Sequence, residues 1–242
     1  KVFHKVKSVD GGTITLADPI MYPVAASEGW KVSRWEPTTE CGVENLHFKG
    51  NFTDKFVHHR SAIDDGGWSI LQITGHANGW LKDCTFESVS NAARIQQSAN
   101  YSVMNCRIIG NAGHAAISSE GSSRVLIAKC ADSASQWHTF GVGKPSMNTV
   151  IWRCNSAPTT SFESHASQPR NTLIDNQTGG FVYSRYGGAI GSFTPAMGIS
   201  VSGGDSGTAF STNSSNGMGA IKSAQPSSTP GQVWGGDGKD GS

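Results

Sequence analysis

Runs of three to five residues that alternate apolar and polar side chains recur along the middle of the chain, and Gly, Asn or Ser interrupts each run. Alternation of this kind predicts short β-strands that bury one face. One phrase returns four times, at nearly equal intervals, with a cysteine at the same place. These cysteines are Cys84, Cys106, Cys130 and Cys154. A fixed period of this length is typical of a repeat architecture, in which each unit buries its apolar side by stacking on the next.

A second strand lies between the cysteine phrases and has nearly the same period. Its apolar members, which also follow one another at nearly equal intervals, are Ile73, Ile95, Ile117, Phe140, Phe162 and Val182. Extending the cysteine series in both directions adds Leu46 before it and Asn176 after it. Because both series follow one period, we expect their members to point inward and to stack in ladders.

The spacing favours stacked strands over helical repeats, which need apolar positions about 3.6 residues apart. The sequence therefore predicts an all-β fold, a parallel β-helix over residues 1–197 with about 22–24 residues per coil. The sequence interval from Leu46 to Cys84 exceeds the other intervals of the series by more than half. This predicts an inserted loop near residues 51–68. Residues 198–242 are rich in Gly and Ser, and we expect them to form an irregular segment that covers or trails the helix.

The outer face of the second strand is a candidate site, because the neighbours of an inward strand residue point outward. The candidates for catalysis on or beside this face are Glu120, Lys144, Glu163, His165, Tyr183 and Arg185. The candidates for substrate binding are Arg94, Gln96, Trp137, His138 and, from the inserted loop, His58, His59 and Arg60. Small residues such as Gly141 between them predict a shallow groove with polar walls. The plainer alternative is an outer face whose polar residues are there for solvation alone.

Composition argues against two classes of partner. The chain of 242 residues has a net charge of +1 and 15% charged residues, which does not resemble the basic footprint of a nucleic-acid binder. No apolar run approaches the roughly 18 residues needed to cross a bilayer, so no membrane partner is expected. The chain begins at Lys1 with neither an initiator methionine nor a signal peptide, which predicts further domains in a longer parent chain.

No cofactor and no metal ligand are predicted. His58 and His59 with Asp64 and Asp65 lack the spacing of a metal-ligand motif. Carboxylates are too sparse to argue a site for Ca²⁺, which stays possible without a ligand motif. The repeat-spaced cysteines are expected to be buried and free, since unpaired Cys is among the most often buried residue types.

The coil phrases at residues 42–48, 80–86 and 148–154 resemble those of right-handed parallel β-helix proteins of the pectate-lyase-like superfamily. The resemblance covers roughly residues 40–185 and implies a right-handed helix and a carbohydrate-active domain. It does not identify the reaction, because this fold hosts lyases, hydrolases and epimerases.

Two closer likenesses point to different reactions. Gly113 and His114 match the Gly-His-Gly segment of polygalacturonases, but Arg94 and Gln96 stand where that family has carboxylates. The phrase that ends at Glu120 is similar to one in alginate and dermatan lyases, in which a lysine at that position is the base.

We therefore expect an extracellular or periplasmic domain that binds and cleaves an acidic, uronate-containing polysaccharide. Cleavage by β-elimination must neutralise the uronate carboxylate, remove the C5 proton and protonate the leaving oxygen. The chain offers more cationic and imidazole side chains than paired acids for these tasks. The alternatives are a glycoside hydrolase that uses Glu120 and Glu163, and a non-catalytic carbohydrate-binding or structural fragment of a larger protein.

Overall fold

The structure is a computed structural model that describes residues 2–21, 24–165 and 169–180, together with the backbone of residues 200–202. Nearly all of its regular structure is β-strand. In chain order the strands are β1 (Val6–Asp10), β2 (Thr13–Leu16), β3 (Thr38–Thr39), β4 (Gly42–Glu44), β5 (His47–Lys49), β6 (Ser69–Thr74), β7 (His76–Ala77), β8 (Trp80–Lys82), β9 (Thr85–Glu87), β10 (Asn91–Gln96), β11 (Ala99–Met104), β12 (Arg107–Ile109), β13 (Ala115–Glu120), β14 (Ser123–Ala128), β15 (Ala131–Asp132), β16 (His138–Gly143), β17 (Val150–Trp152), β18 (Asn155–Ser156), β19 (Ser161–His165), β20 (Leu173–Asp175) and β21 (Ser200–Ser202).

Helix is confined to two short turns in the described part of the chain. They are a 3₁₀ turn at Ala26–Glu28 and a π-helical turn at Ile63–Gly67. Among the described residues, no helix has the length and apolar character needed to cross a membrane. Strands β1 and β2 form an exposed antiparallel hairpin that precedes the coils.

All other strands pair in parallel and stack into three sheets. Sheet A contains β6, β10, β13, β16 and β19; sheet B contains β3, β4, β7, β8, β11, β14, β17, β20 and β21; sheet C contains β5, β9, β12, β15 and β18. The chain visits A, B and C in turn, so that each circuit is one coil. The predicted all-β fold, a parallel β-helix, is therefore confirmed. Apart from β21, which joins sheet B, the predicted irregular segment at 198–242 lies outside the described residues.

Residues in the left-handed conformation turn the chain between sheets B and C. Asp83, Asn105, Lys129 and Arg153, each directly before a cysteine of the ladder, have φ between 50 and 55°. Asn and Asp tolerate this conformation better than most other residues. Asn105 Nδ2 also donates a hydrogen bond of 3.1 Å to Asp83 Oδ1 on the preceding coil. Because every coil turns at the same place, successive coils stay in step, which produces the period seen in the sequence.

Ladders of inward side chains fill the helix. In sheet B the stacked and fully buried residues are Leu81, Val103, Ile127, Ile151 and Ile174. The four ladder cysteines are also buried and free, as predicted, and each is at most 2% exposed. Burial of one such aliphatic side chain contributes about 1.5–3 kcal/mol to stability.

Both predicted ends of the cysteine ladder need correction. Leu46 does occupy the position below Cys84, but it is 50% exposed because no described coil stacks beneath it. The position above Cys154 belongs to Gln177, not to Asn176, as the pairing of Asn155 with Thr178 shows. Gln177 is 1% exposed, whereas Asn176 has a φ of 54° and turns the corner as the residues before the cysteines do.

The predicted register of sheet A was wrong by two residues at one step. Ile95 pairs with Ser119 and not with Ile117, whose partner is Ala93. The coil between β10 and β13 therefore contains two residues more than the interval between the two isoleucines. A shift of two residues leaves every side chain on its original face, because side chains alternate with a period of two. Both isoleucines are fully buried as predicted. The outward columns change, however: one contains Arg94, Ser118, Gly141 and Glu163, and the other contains Gln96, Glu120, Gly143 and His165.

The extra residues of the first complete coil separate β5 from β6. They form residues 50–68, here called the insertion loop, at the place where the sequence predicts an insertion near 51–68. The π-helical turn lies within this loop. Single turns of this kind are rare and occur often at functional sites.

Burial of the ladder predicts that four thiols are protected from reagents. Cys41 is exposed, whereas Cys84, Cys106, Cys130 and Cys154 are buried. A chromogenic disulfide reagent should modify one thiol of the native protein rapidly, and all five after unfolding in guanidinium. The Cys41→Ser variant should show no rapid reaction in the native state. Rapid modification of two or more thiols would contradict the stacked cysteine ladder.

A buried carboxyl group interrupts the apolar interior. Asp132 is 1% exposed, and its carboxylate accepts hydrogen bonds of 3.2 and 3.4 Å from the backbone N–H of Gln136. Burial raises the pKa of Asp132 to about 6, against the opposing effect of these hydrogen bonds. The folded protein therefore binds a proton here more tightly than the unfolded chain does.

Stability should fall as the pH rises through this range. The raised folded-state pKa of Asp132 favours folding at low pH, and this contribution is lost between about pH 4 and pH 6. Asp132→Asn keeps an acceptor but cannot ionise. In chemical denaturation, the variant should gain about 3 kcal/mol relative to wild type between pH 4 and pH 7, from about 1.4 kcal/mol per pKa unit. Asp10→Asn on the exposed hairpin is the control, and a difference between Asp132→Asn and wild type that does not vary with pH would contradict this assignment.

Candidate functional site

The insertion loop lies against one end of sheet A and is held there by side chains of the coils. Asn91 Nδ2 donates to the backbone carbonyl of Asp65 at 2.8 Å, and His114 Nδ1 donates to the same carbonyl at 2.9 Å. Asn111 Nδ2 donates to the carbonyl of Asp54 at 2.7 Å. Three positions of the stack therefore fix the path of a loop that is distant in sequence.

Within the loop, an ion pair between a half-exposed arginine and a buried carboxylate links neighbouring residues. Asp64 is 1% exposed and accepts hydrogen bonds from Arg60 at 2.8 and 2.9 Å. Ser61 Oγ and the backbone N–H of Val57 also donate to it. These hydrogen bonds lower the pKa of Asp64 to about 2, and those from Arg60 have the largest effect. Arg60 was predicted to bind substrate. In the structure its guanidinium binds the Asp64 carboxylate within the loop.

The loop brings His58 to His114 and His138 of the coils. The ring centroids of these three histidines are 5.4, 5.4 and 5.5 Å apart, which is nearly an equilateral triangle. One ring nitrogen of each lies within 4.8 Å of the corresponding nitrogens of the other two. His138 is 1% exposed, whereas His58 and His114 are partly exposed.

Stacking of the coils explains why His114 and His138 meet. They are one coil apart along the chain, and the backbone N–H of His138 donates to the carbonyl of His114 at 2.8 Å. Gly113 lets the segment before His114 lie close to the preceding coil, because a Cβ at this position would lie 2.2 Å from the carbonyl oxygen of Val89. The spacing of one coil is the sequence signal that could have identified His114, which was not among the predicted site residues.

Aromatic rings line the same end of the groove. Trp137 stacks on His58 with a centroid distance of 5.0 Å and an interplanar angle of 14°. Phe56 of the insertion loop stacks on His114 at 5.9 Å and contacts Trp137 at the same distance. Phe56, like His114, was not predicted as a site residue, because the sequence does not show where a loop side chain points.

Burial disfavours the charged form of two imidazoles of the cluster. Burial, followed by the charges of His59 and His114, lowers the pKa of His58 to about 4. Burial also lowers the pKa of His114, although its hydrogen bond to the Asp65 carbonyl acts in the opposite direction. Neutral imidazoles keep a free lone pair, which can accept a proton or bind a metal ion.

Glu120 is surrounded by donors on the outer face of sheet A. Lys144 Nζ lies 3.0 Å from its carboxylate, Gln96 Nε2 donates at 3.0 Å, Ser118 Oγ donates at 3.1 Å and Arg94 Nε lies at 3.7 Å. Burial alone would raise the pKa of Glu120, but these donors and charges hold it below its usual range. Glu120 is therefore an anion that fixes two cations beside it.

Glu163 has the opposite electrostatic character. Burial and the charge of Glu120 raise the pKa of Glu163 to about 7. Its carboxylate oxygen lies 3.5 Å from His138 Nε2. Gly141 and Gly143 separate the two acidic residues on the intervening strand, and a Cβ at Gly141 would lie 3.2 Å from the Cβ of Glu163. Because these two outward positions have no side chain, the space between the carboxyl groups is left open.

His59 and Asp65 form a second pair in the insertion loop. His59 Nδ1 lies 3.1 Å from Asp65 Oδ2, and the side chain of His59 is 66% exposed. A carboxylate at Nδ1 fixes the tautomer in which Nε2 has the lone pair, as in catalytic His–Asp pairs. The pair therefore presents an oriented and accessible base at the edge of the groove. Asp65 was not predicted in this role.

The structure places most predicted site residues together and leaves others apart. The residues that it groups around the groove are Arg94, Gln96, Glu120, Lys144, Glu163, Trp137, His138, His58 and His59. His165 is exposed at the end of β19, in the same column as Glu120. Tyr183 and Arg185 lie outside the described residues.

Removal of the buried loop carboxylate should release the insertion loop while the coils stay folded. Asp64→Ala leaves the four hydrogen bonds to this carboxylate without an acceptor. Chymotrypsin should then cleave within the loop at least about tenfold faster, since local opening becomes easier. The thermal melting of the coils should stay close to that of wild type. Asp54→Ala in the same loop is the matched control, and equal cleavage of both variants would contradict this role of Asp64.

Part of the chain matches one family model. Residues 135–200 match a family model described as a domain of unknown function, DUF4955. No curated protein and no solved structure matches the chain. The parallel β-helix is consistent with a carbohydrate-active domain, and none of these comparisons names the pectate-lyase-like superfamily.

Proposed function

We propose that the outer face of sheet A binds an acidic polysaccharide and cleaves it by β-elimination. One observation carries the proposal: cationic side chains, an oriented base and aromatic rings occur together on one face beside the insertion loop. Arg94 and Lys144 supply the cations, and His59 with Asp65 supplies the base. Stacked coils are about 4.8 Å apart, which suits an extended chain of sugars along the stack.

Each step of the elimination has a candidate group. Arg94 neutralises the uronate carboxylate, which makes the C5 proton more acidic. Nε2 of His59 takes this proton, and the electron pair of the C5–H bond forms the C4–C5 double bond as the C4–oxygen bond breaks. Lys144, which is half exposed, donates a proton to the leaving oxygen. Trp137 and Phe56 contact the faces of the sugar rings.

Hydrolysis is a second candidate because two carboxyl groups share the face. Glu120 and Glu163 occupy adjacent outward columns, with Gly141 and Gly143 between them. Inverting hydrolases separate such groups by about 6.5–9.5 Å to admit a water molecule. The elimination is preferred, since Glu120 already accepts from Lys144, Gln96 and Ser118.

The two reactions differ in their products. On a panel of uronate polymers, elimination should give the ultraviolet absorbance of an unsaturated uronate at the same rate as new reducing ends. His59→Ala and Arg94→Ala should each lower kcat/KM by at least about a hundredfold, the usual contribution of a positioned base or charge. His47→Ala on sheet C is the matched histidine control and should retain activity.

Other outcomes would overturn the proposal in different ways. New reducing ends without the absorbance would show hydrolysis, and loss of activity in Glu163→Gln would then assign it to the carboxyl pair. Binding that Arg94→Ala weakens, without any cleavage, would identify a non-catalytic carbohydrate-binding module. If no uronate polymer binds, the assignment of this face to an acidic polysaccharide is wrong.

A further inference from the structure

Three histidines converge in the groove with the geometry of a metal centre. In a tetrahedral site with metal–nitrogen bonds of about 2.0–2.1 Å, each imidazole centroid lies about 3.2 Å from the metal, so three centroids are about 5.2 Å apart. The observed distances among His58, His114 and His138 are 5.4, 5.4 and 5.5 Å. The three potential ligand nitrogens also lie within 4.8 Å of one another.

The orientation of the rings favours ligation over stacking. The interplanar angles among the three rings are 54°, 56° and 80°. Rings that associate through their faces are closer to parallel, as Trp137 and His58 are at 14°. Tilted rings at these distances can direct their edge nitrogens to a common point.

A second observation concerns the hydrogen bonding of His114. Its Nδ1 donates to the backbone carbonyl of Asp65 at 2.9 Å, which leaves the lone pair on Nε2. Histidines that bind metals commonly donate their other ring N–H to a carbonyl or carboxylate, which fixes the tautomer and the ring orientation. His114 therefore has both the ligand atom and the supporting contact of a metal ligand.

We propose that His58, His114 and His138 bind a divalent transition-metal ion, with Zn²⁺ as the expected occupant. Three imidazoles are a donor set for Zn²⁺ and its neighbours, whereas Ca²⁺ and Mg²⁺ take oxygen ligands. Three protein ligands leave a fourth position for water or for an oxygen of a bound molecule.

The surroundings are suited to a cation. The carboxyl group of Glu163 lies 3.5 Å from His138, and the Asp65 carboxylate is held in the adjacent loop. The single carboxylate of Glu120 offsets part of the nearby positive charge of Arg94 and Lys144. An acid beside the fourth position can accept a hydrogen bond from a water molecule there.

This site does not depend on the reaction proposed above. It requires the insertion loop, because one ligand comes from the loop and two come from successive coils. Metal binding should therefore also fix the loop to the stack, and loss of His58 should remove the ion without unfolding the coils.

Metal binding can be measured without polysaccharide. After treatment with a chelator, the protein should bind one equivalent of Co²⁺ with the visible absorption bands of a low-coordinate site, and Zn²⁺ should displace it. Calorimetry should show Zn²⁺ binding that His58→Ala or His114→Ala weakens by at least about a hundredfold, more than loss of an outer contact does. His47→Ala is the matched control.

Folding is monitored separately by circular dichroism and thermal melting. Zn²⁺ should raise the melting temperature of wild type and of His47→Ala, since a ligand that binds the folded state stabilises it. It should leave the melting temperature of His58→Ala unchanged. Absence of stoichiometric binding, or binding of equal affinity in wild type, His58→Ala and His114→Ala, would overturn the proposal. Because no sugar is present, this result is independent of the test for elimination.

Discussion

Each coil of this protein has two edges of unpaired backbone N–H and C=O groups, and only a neighbouring coil in register can pair them along their whole length. This requirement places equivalent residues about 4.8 Å apart along the stack. Inward side chains must then form ladders, from Leu81 to Ile174 in sheet B and through the four cysteines at its corner. The left-handed corner residues follow from the same requirement, because a coil that turned one residue late would break the pairing of the next.

The candidate site is a consequence of this stacking. Residues on the outer face of sheet A are neighbours because adjacent coils stack in register, which is why His114 meets His138 and why Arg94 reaches Glu120, two residues beyond its own partner. The glycines of β16 leave room between the acidic columns. Among the described residues, the insertion loop adds side chains from outside the stacked coils, and the carboxylate of the buried Asp64 accepts hydrogen bonds within it.

The period of the sequence was sufficient to predict the fold, because strand alternation and coil length are local properties. It predicted the register less well, because the coils differ slightly in length. A register shift of two residues leaves every side chain on its original face, so the alternation of apolar and polar residues does not reveal it. The ladder of Ile95 on Ile117 therefore implied the wrong partner for Arg94, which pairs with Ser118, although its outward direction was right. The contact of His58 with the coils could not be predicted, because it depends on how a loop of irregular structure folds back onto coils that are distant in sequence.

Buried polar groups at the site oppose folding, and the ladders offset this cost. A carboxyl group with a pKa near 7 at Glu163 and an imidazole with a pKa near 4 at His58 each show that the folded protein disfavours a charge there. Such groups persist where the surrounding structure fixes them, and here the parallel stack supplies ordered neighbours such as His138 and His114. A divalent ion at the three imidazoles would convert part of this cost into binding energy. The same ion would attract the carboxylate of a uronate to the groove, so that a metal centre and an acidic substrate are chemically compatible in one site.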